Sequence, residues 1–259
     1  MLDRVDHRPS SAIDKALWVL EALAEHESVT KIATATGLPK STTHRILQSL
    51  AEHGFARPDG TGGYLPGPKI LTLAGRMLAR FDPVRQASPV LQRLHDQTGY
   101  TVHLAVLNGD EAVYAAKLEG RKPYQMPSRV GMSLWLHSSA IGKAMLAAMS
   151  DDEVAGIATR TGLTRRTPAT ITTQAALRRH LARVRECGFA VDDEENEAGI
   201  RCVAAAVFDH TGHVVAGVSI STLAHELSVD DAQELGPLVA GTAHEVSRTL
   251  GAPLELPTG

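Results

Sequence analysis

The sequence predicts an α+β chain in two parts: a small helical part that ends in a β-hairpin, and a larger part in which β-hairpins alternate with helices. Two observations predict this order. Apolar residues recur at helical spacing up to about His53, and from about Thr101 onward alternating apolar and polar runs flank short turn sequences. We place the boundary at residue 83, which gives domains of residues 1–83 and 84–259.

Three helices are predicted before the first hairpin. The first covers residues 12–26 behind Ser10 and Ser11, which are suitable capping residues. The second begins near Val29 and ends at Gly37, and the third opens after Pro39 and runs to about His53. A helix, a glycine turn and a further helix of these lengths are typical of a helix-turn-helix, whose second helix enters the major groove of DNA.

The third helix has two chemically different faces. At about 100° per residue, an apolar side formed by Thr43, Ile46, Leu47 and Leu50 lies opposite Ser41, Arg45 and Gln48, with Thr42 beside them. Short hydroxyls, an amide and a guanidinium are groups that contact base edges and phosphates. The candidate DNA-binding residues are Lys40, Ser41, Thr42, Thr43, His44, Arg45, Gln48 and Arg57.

A hairpin follows the third helix and completes a predicted winged helix-turn-helix. Residues 55–57 and 64–65 flank a glycine-rich turn, so Arg57 and the turn could approach the sugar-phosphate backbone. A leucine-rich stretch from Lys69 to about Phe81 then predicts a linker helix. Pro83 and Pro89 are expected to bracket the passage into the next domain.

The larger domain is predicted to be an antiparallel sheet covered by helices. Its hairpins join residues 101–107 to 112–118 and residues 200–208 to 214–221. Its helices are expected at residues 138–148, 174–187 and 228–250, the last despite Pro237.

Composition and charge narrow the possible functions. The chain has 259 residues, 43% of them hydrophobic, and a net charge of −3. The N-terminal part carries ten Lys and Arg against nine Asp and Glu, so DNA contacts would depend on a shaped surface rather than on bulk charge. No apolar leader or membrane span is read, so we expect a cytoplasmic protein. Cys187 and Cys202 form no disulfide framework or zinc ribbon.

Three sequence blocks resemble the IclR family of bacterial transcriptional regulators, over nearly the whole chain. They are SVTKIATATGLPKSTTHRILQSLAEHGF (residues 28–55), LHSSAIGKAMLAAMS (136–150) and GFAVDDEENEAGIRCVAAAVFDHTGHVVAGVSIS (188–221). The resemblance implies a GAF-like effector-binding domain, a palindromic operator and a small organic acid as effector. It also implies a homodimer formed through the DNA-binding domains, and a dimer of such dimers through the effector domains. We expect a repressor that uses no cofactor and contacts no membrane.

The resemblance also implies which residues hold the effector. Family members that bind small carboxylates use N–H groups at the start of the helix in the second block, here Ala140 and Ile141 beside Ser139, since helix N-termini favour anions. The other matching positions are Asp192, Cys202, Ser219 and Ser221; strand alternation independently places Ser219 and Ser221 on one face. Trp135 departs from the small-ligand members, and its indole suggests an aromatic or bulkier acid.

Other readings of these residues have less support. The acidic run from Asp192 to Glu195 could suggest a metal site, but a solvated loop is favoured and no metal is assigned. Cys202 and Ser138 could suggest a nucleophile, yet neither lies in a GxSxG elbow. Lys143 lacks the context of a phosphate loop. The alternative function is a GAF-like enzyme or sensor without operator binding, which deletion of residues 1–83 would distinguish.

Overall fold

The computed structural model describes residues 11–78 and 82–253. The chain divides into two compact units, one ending before residue 82 and the other beginning there. The first unit contains α1 (Ala12–Glu25), α2 (Val29–Thr36), α3 (Lys40–Glu52), β1 (Ala56–Pro58), β2 (Tyr64–Pro66) and α4 (Pro68–Leu78). Strands β1 and β2 pair in antiparallel fashion, so the predicted winged helix-turn-helix is confirmed.

Local signals fix the ends of these helices. Ser11 caps α1 in a capping box with Asp14, which satisfies free N–H groups in the first turn. Gly37 ends α2 at a φ of 67°, a conformation that glycine adopts without a steric cost. Ser10 and the predicted end of the linker helix at residues 79–81 lie outside the described residues.

The core of the first unit is one apolar cluster shared by α1, α2, α3 and the hairpin. It is formed by Val19, Leu23, Val29, Ile32, Leu47, Ala56 and Tyr64. Because Leu47 is the α3 residue in this core and is fully buried, the opposite side of α3 is left on the surface.

The second unit is a six-stranded antiparallel sheet with helices on both faces. Its elements are α5 (Pro83–Thr98), β3 (Thr101–Asn108), β4 (Glu111–Leu118), β5 (Ser133–Leu134), α6 (Ala140–Ala147), α7 (Asp151–Thr161), α8 (Gln174–Cys187), β6 (Ala190–Asp193), β7 (Ile200–Phe208), β8 (Val214–Leu223) and α9 (Val229–Thr249). The strand order is β5-β4-β3-β8-β7-β6, so the two predicted hairpins meet where β3 pairs with β8.

Each face of the sheet packs in its own apolar cluster. Val218 and Ile220 of β8 pack with residues of α5 and α9, whereas Ala204 of β7 packs with residues of α6 and α8. Ser219 and Ser221 alternate with Val218 and Ile220, so they face the side that carries α6.

The expectation for Pro83 and Pro89 was wrong. Pro83 is the first residue of α5, where a missing N–H costs nothing, and Asp82 caps the helix through the N–H groups of Val84 and Arg85. Pro89 lies inside the same helix, whose buried side, including Val90 and Leu94, packs on the sheet. None of the described helices is long and apolar enough to span a membrane.

Candidate functional site

The exposed side of α3 carries a row of polar side chains. Ser41, Arg45 and Gln48 are exposed, while Thr42 is half-buried beside them. Lys40 and His44 are also exposed, at the start of the helix and next to the row. These groups can donate hydrogen bonds to phosphate oxygens and to base edges of a duplex.

Thr43 does not belong to this surface, and its inclusion among the DNA-binding candidates is corrected. Its side chain is fully buried, and its hydroxyl donates to the Pro39 carbonyl at 3.2 Å. The helical periodicity that places Leu47 inward places Thr43 inward too, four residues earlier.

The wing is organised by Asp59 at its turn. The Asp59 carboxylate accepts hydrogen bonds from the N–H groups of Thr61 at 2.7 Å and Gly63 at 2.8 Å, and from the Thr61 hydroxyl at 2.8 Å. These bonds, led by that from the Thr61 N–H, lower the pKa of Asp59. Arg57 is exposed on β1, two residues before this ordered turn.

His44 connects the polar row to the wing. Its ring makes an edge-on contact with Tyr64 of β2, with ring centroids 6.0 Å apart. Tyr64 is itself buried and donates its backbone N–H to the Glu27 carbonyl at 2.9 Å. Contacts within the first unit therefore hold the α3 row and the wing together.

The second unit contains a cavity of about 240 Å³ on the α6 side of the sheet. All the expected effector-binding residues line it: Trp135, Ser139, Ala140, Ile141, Asp192, Cys202, Ser219 and Ser221. They come from β8, β7, β6, the start of α6 and the residue that follows β5, so the fold brings distant parts of the sequence to one place.

The start of α6 forms one wall of the cavity. The Ser139 hydroxyl accepts the N–H of Gly142 at 3.1 Å, and the Ser139 carbonyl accepts the N–H of Lys143 at 2.9 Å. The N–H groups of Ala140 and Ile141 belong to the first turn, which has no intrahelical acceptor. A carboxylate at this wall would meet both the free donors and the positive end of the helix dipole.

Asp192 is a buried carboxyl group in the wall next to α6. Its Oδ1 accepts the N–H of Glu195 at 2.8 Å and that of Asn196 at 3.2 Å. Burial raises the pKa of Asp192 to about 7, although the Lys143 ammonium and the two backbone hydrogen bonds oppose the shift. Near neutral pH the group is therefore divided between its carboxylate and carboxylic acid forms.

The register of β6, β7 and β8 places three polar side chains side by side on the floor of the cavity. Asp192 of β6 pairs with Cys202 of β7, and Cys202 pairs with Ser221 of β8. Burial raises the pKa of the Cys202 thiol, so it stays protonated near neutral pH and is a poor nucleophile. The line of groups is suited to hydrogen bonding with a ligand.

The structure adds polar residues to the cavity that sequence reasoning missed. They include His103, Tyr114, Ser128, Arg166, Asn196 and Glu197. His103 Nε2 lies 2.8 Å from the Ser128 hydroxyl, and its ring stacks at 4.6 Å on Tyr114. Burial, assisted by Lys117, lowers the pKa of His103 to about 3, so the ring is neutral. The sequence predicted that His103 lies on a strand, but its place in the cavity wall depends on the pairing of β3 with β8.

The acidic run does not converge on a metal position. Asp193 binds the Arg201 guanidinium at 2.8 Å, Glu194 accepts the N–H of Gly199 at 2.7 Å, and Glu195 pairs with the buried Lys143. Across residues 11–78 and 82–253, no cluster of His, Cys, Asp and Glu could hold a metal ion.

Comparisons with known proteins agree on one family. The IclR helix-turn-helix domain matches residues 12–60, and the bacterial transcriptional regulator IclR C-terminal domain matches residues 75–248. The chain is 37% identical over 226 residues to the HTH-type transcriptional regulator XynR of Escherichia coli, covering 86% of this chain and 89% of that protein. It is 35% identical to the HTH-type transcriptional repressor AllR of Salmonella typhimurium, covering 93% and 90%.

Solved structures show the same architecture. The Thermotoga maritima IclR structure matches with a TM-score of 0.64 and 36% identity, over 92% of this chain and 98% of that one. The Agobacterium tumefaciens repressor BlcR matches with a TM-score of 0.73 and 27% identity, over 93% and 96%. The matches therefore include both units.

Proposed function

Because the chain belongs to the IclR family of bacterial transcriptional regulators, we propose that it is a repressor in which α3 and the wing contact an operator and the cavity holds a small organic acid. It is a ligand-responsive DNA-binding regulator and not an enzyme. The domains we assign to these roles are residues 1–83 and 84–259.

The exposed row on α3 carries the DNA-binding part of the proposal. Ser41, Arg45 and Gln48 face solvent while Leu47 holds the other side of the helix in the core. Arg45 and Arg57 supply positive charge near phosphates, and the hydroxyls and the amide supply orientation and base contacts. We place this activity in the cytoplasm, where bacterial DNA lies.

We propose that the regulator acts as a homodimer on a palindromic operator, and that two dimers join through the effector domains. Support for a dimer contact in the first unit comes from exposed apolar side chains: Ile13 and Leu17 on α1 and Leu71 and Leu73 on α4. A dimer presents two copies of α3 to half-sites in successive major grooves.

An acid in the cavity can change operator affinity only if it binds two states of the protein unequally. A coupling free energy of about 1 to 3 kcal/mol would change DNA affinity roughly 5- to 150-fold. The organic acid is favoured by the α6 wall, where free N–H groups meet the cavity, and Trp135 could stack on an aromatic ring.

The proposal is tested by selecting bound duplexes from a randomised DNA pool and titrating the selected duplex with and without organic acids. We expect a palindromic site whose affinity shifts at least 5-fold with one of the acids. Selection of no preferred sequence would contradict the operator, and acids that bind without changing DNA affinity would contradict the coupling.

A further inference from the structure

Arg166 supplies the only cationic side chain that lines the cavity within residues 11–78 and 82–253. It lies in the segment between α7 and α8 and is exposed. Two lysines are nearby, but their ammonium groups are occupied. Lys117 donates to the carbonyls of Met126 and Ser128, and Lys143 donates to the Val191 carbonyl and pairs with Glu195.

A chain of hydrogen bonds ties Arg166 to the start of α6. Its Nε donates to the Asn196 carbonyl at 3.0 Å, and the side-chain oxygen of Asn196 accepts the Ser138 hydroxyl at 3.0 Å. Ser138 directly precedes Ser139, the N-cap of α6. Arg166 therefore belongs to the end of the cavity where the N–H groups of Ala140 and Ile141 lie.

The backbone around Arg166 is fixed before any ligand arrives. The N–H of Arg166 donates to the Thr170 hydroxyl at 3.0 Å, and the Thr170 hydroxyl donates to the Glu195 carbonyl at 2.6 Å. The Thr167 hydroxyl donates to the Glu194 carbonyl at 2.7 Å. This anchoring lowers the entropy that a ligand would otherwise have to remove from the segment.

The Arg166 guanidinium has no acidic partner in the part of the chain that the structure describes. No carboxylate of the described residues forms an ion pair with Arg166, whereas Arg160 and Arg185 in the same unit each bind an aspartate. Among the residues that the structure describes, only the Nε of Arg166 donates to an acceptor, so its terminal N–H groups can still bind an anion. A planar guanidinium matches the two oxygens of a carboxylate better than any other cationic side chain.

We propose that Arg166 is a specificity-determining residue of the effector site, and that its guanidinium pairs with the effector carboxylate that Ala140 and Ile141 also bind. This inference rests on the proposed acid-binding function. The acid would have its carboxylate at Arg166 and the rest of the molecule toward Tyr114 and Ser219, two residues with hydroxyl groups that also line the cavity.

The test uses matched acids and amides. Four acids are each compared with the corresponding carboxamide: pyruvate, lactate, gluconate and 4-hydroxybenzoate. Each compound is titrated calorimetrically into the full-length wild-type protein and into three variants, Arg166→Gln, Arg166→Lys and Arg165→Gln. Arg165 is a control because it is an exposed neighbour that does not line the cavity and donates to the Pro168 carbonyl.

We expect Arg166→Gln to reduce the affinity for the bound acid about 10-fold, the lower part of the range for charged hydrogen bonds, because Arg166 is exposed. Affinity for the amide should hardly change, so the acid-to-amide ratio falls. Arg166→Lys should keep part of the ratio, and Arg165→Gln all of it.

Two results overturn the inference. The first leaves the proposed acid site standing, and the second removes that site as well. If the wild type binds an acid and Arg166→Gln keeps its acid-to-amide ratio, or loses acid and amide equally, Arg166 does not select the carboxylate while the acid site stands. If none of the acids binds the wild-type protein, the proposed acid site fails and this inference fails with it.

Discussion

Asp192 shows how one buried residue can make the effector site sensitive to pH. The residue is 3% exposed, and burial raises the pKa of its carboxyl group to about 7. The Lys143 ammonium and the Glu195 carboxyl act on it in opposite directions. Because an unfolded aspartate titrates near 3.8, the folded chain holds a proton between these values that the unfolded chain has released.

We therefore expect Asp192 to reduce stability as the pH rises from about 4 to 7. The free energy of unfolding should fall across this range in the wild type relative to Asp192→Asn, which keeps an oxygen for the N–H groups of Glu195 and Asn196 but cannot ionise. Urea denaturation at several pH values measures the difference. Parallel pH curves for the two proteins would show that Asp192 keeps an ordinary pKa.

The cavity residues show what the sequence could and could not predict at this scale. Strand alternation alone put Ser219 and Ser221 on one face, and the family resemblance supplied Asp192 and Cys202. His103, Tyr114 and Arg166 were missed because a lone histidine, tyrosine or arginine has no local pattern that marks a cavity. The register of β3 with its neighbours β4 and β8, and the packing of the segment before α8, bring them there.

At the scale of elements, the position of α6 depends on Gly142, because the helix lies close to the backbone of Leu136, in the segment that leads into it. A Cβ on Gly142 would overlap backbone atoms of Leu136, which cannot move as a flexible side chain would. Gly241 in α9 is a matched control, since a Cβ there would meet nothing within 4 Å. Both glycines lie in helices, so helix propensity affects them alike.

We predict that Gly142→Ala destabilises the protein by about 1 to 3 kcal/mol and weakens acid binding, because the α6 wall must shift. Gly241→Ala should be neutral or should stabilise by up to about 1 kcal/mol. Thermal unfolding and calorimetric titration measure the two effects. Equal behaviour of the two variants would contradict the close approach of α6 to Leu136.

Helices with simple boundaries were predicted well, and those with ambiguous ones were missed. Helix α8 was predicted with its observed bounds, because its apolar stripe is regular and Gly188 ends it. Helix α5 was missed because Pro83 and Pro89 look like helix breakers. Helix α7 was missed although Ser150 and Glu153 form a capping box, a local signal that could have found it.

At the scale of the whole molecule, the proposed dimer explains apolar side chains that the first unit leaves on its surface. Leu71 on α4 is 77% exposed and Ile13 on α1 is 71% exposed. The first unit has a complete core of its own without them. Their exposure is consistent with a contact between two copies of the chain.

We expect Leu71→Asp to weaken self-association and operator binding together, since a buried carboxylate in the contact would be costly. Thr72→Asp is the control, because it adds the same charge to an exposed neighbour on the same helix. Light scattering coupled to gel filtration gives the mass of each protein. A Leu71→Asp protein that associates as the wild type does would exclude α4 from the dimer contact.

The assignment of α3 as the helix that contacts DNA is tested most directly by measuring operator affinity after Arg45 is replaced. Arg45→Ala should weaken binding to the selected duplex about 10-fold or more and reduce the dependence of affinity on salt, with acid binding unchanged. Arg179→Ala removes an exposed arginine from α8 in the other unit and should leave DNA affinity intact. Wild-type DNA affinity in the Arg45→Ala protein would contradict the assignment of α3 as the helix that contacts DNA.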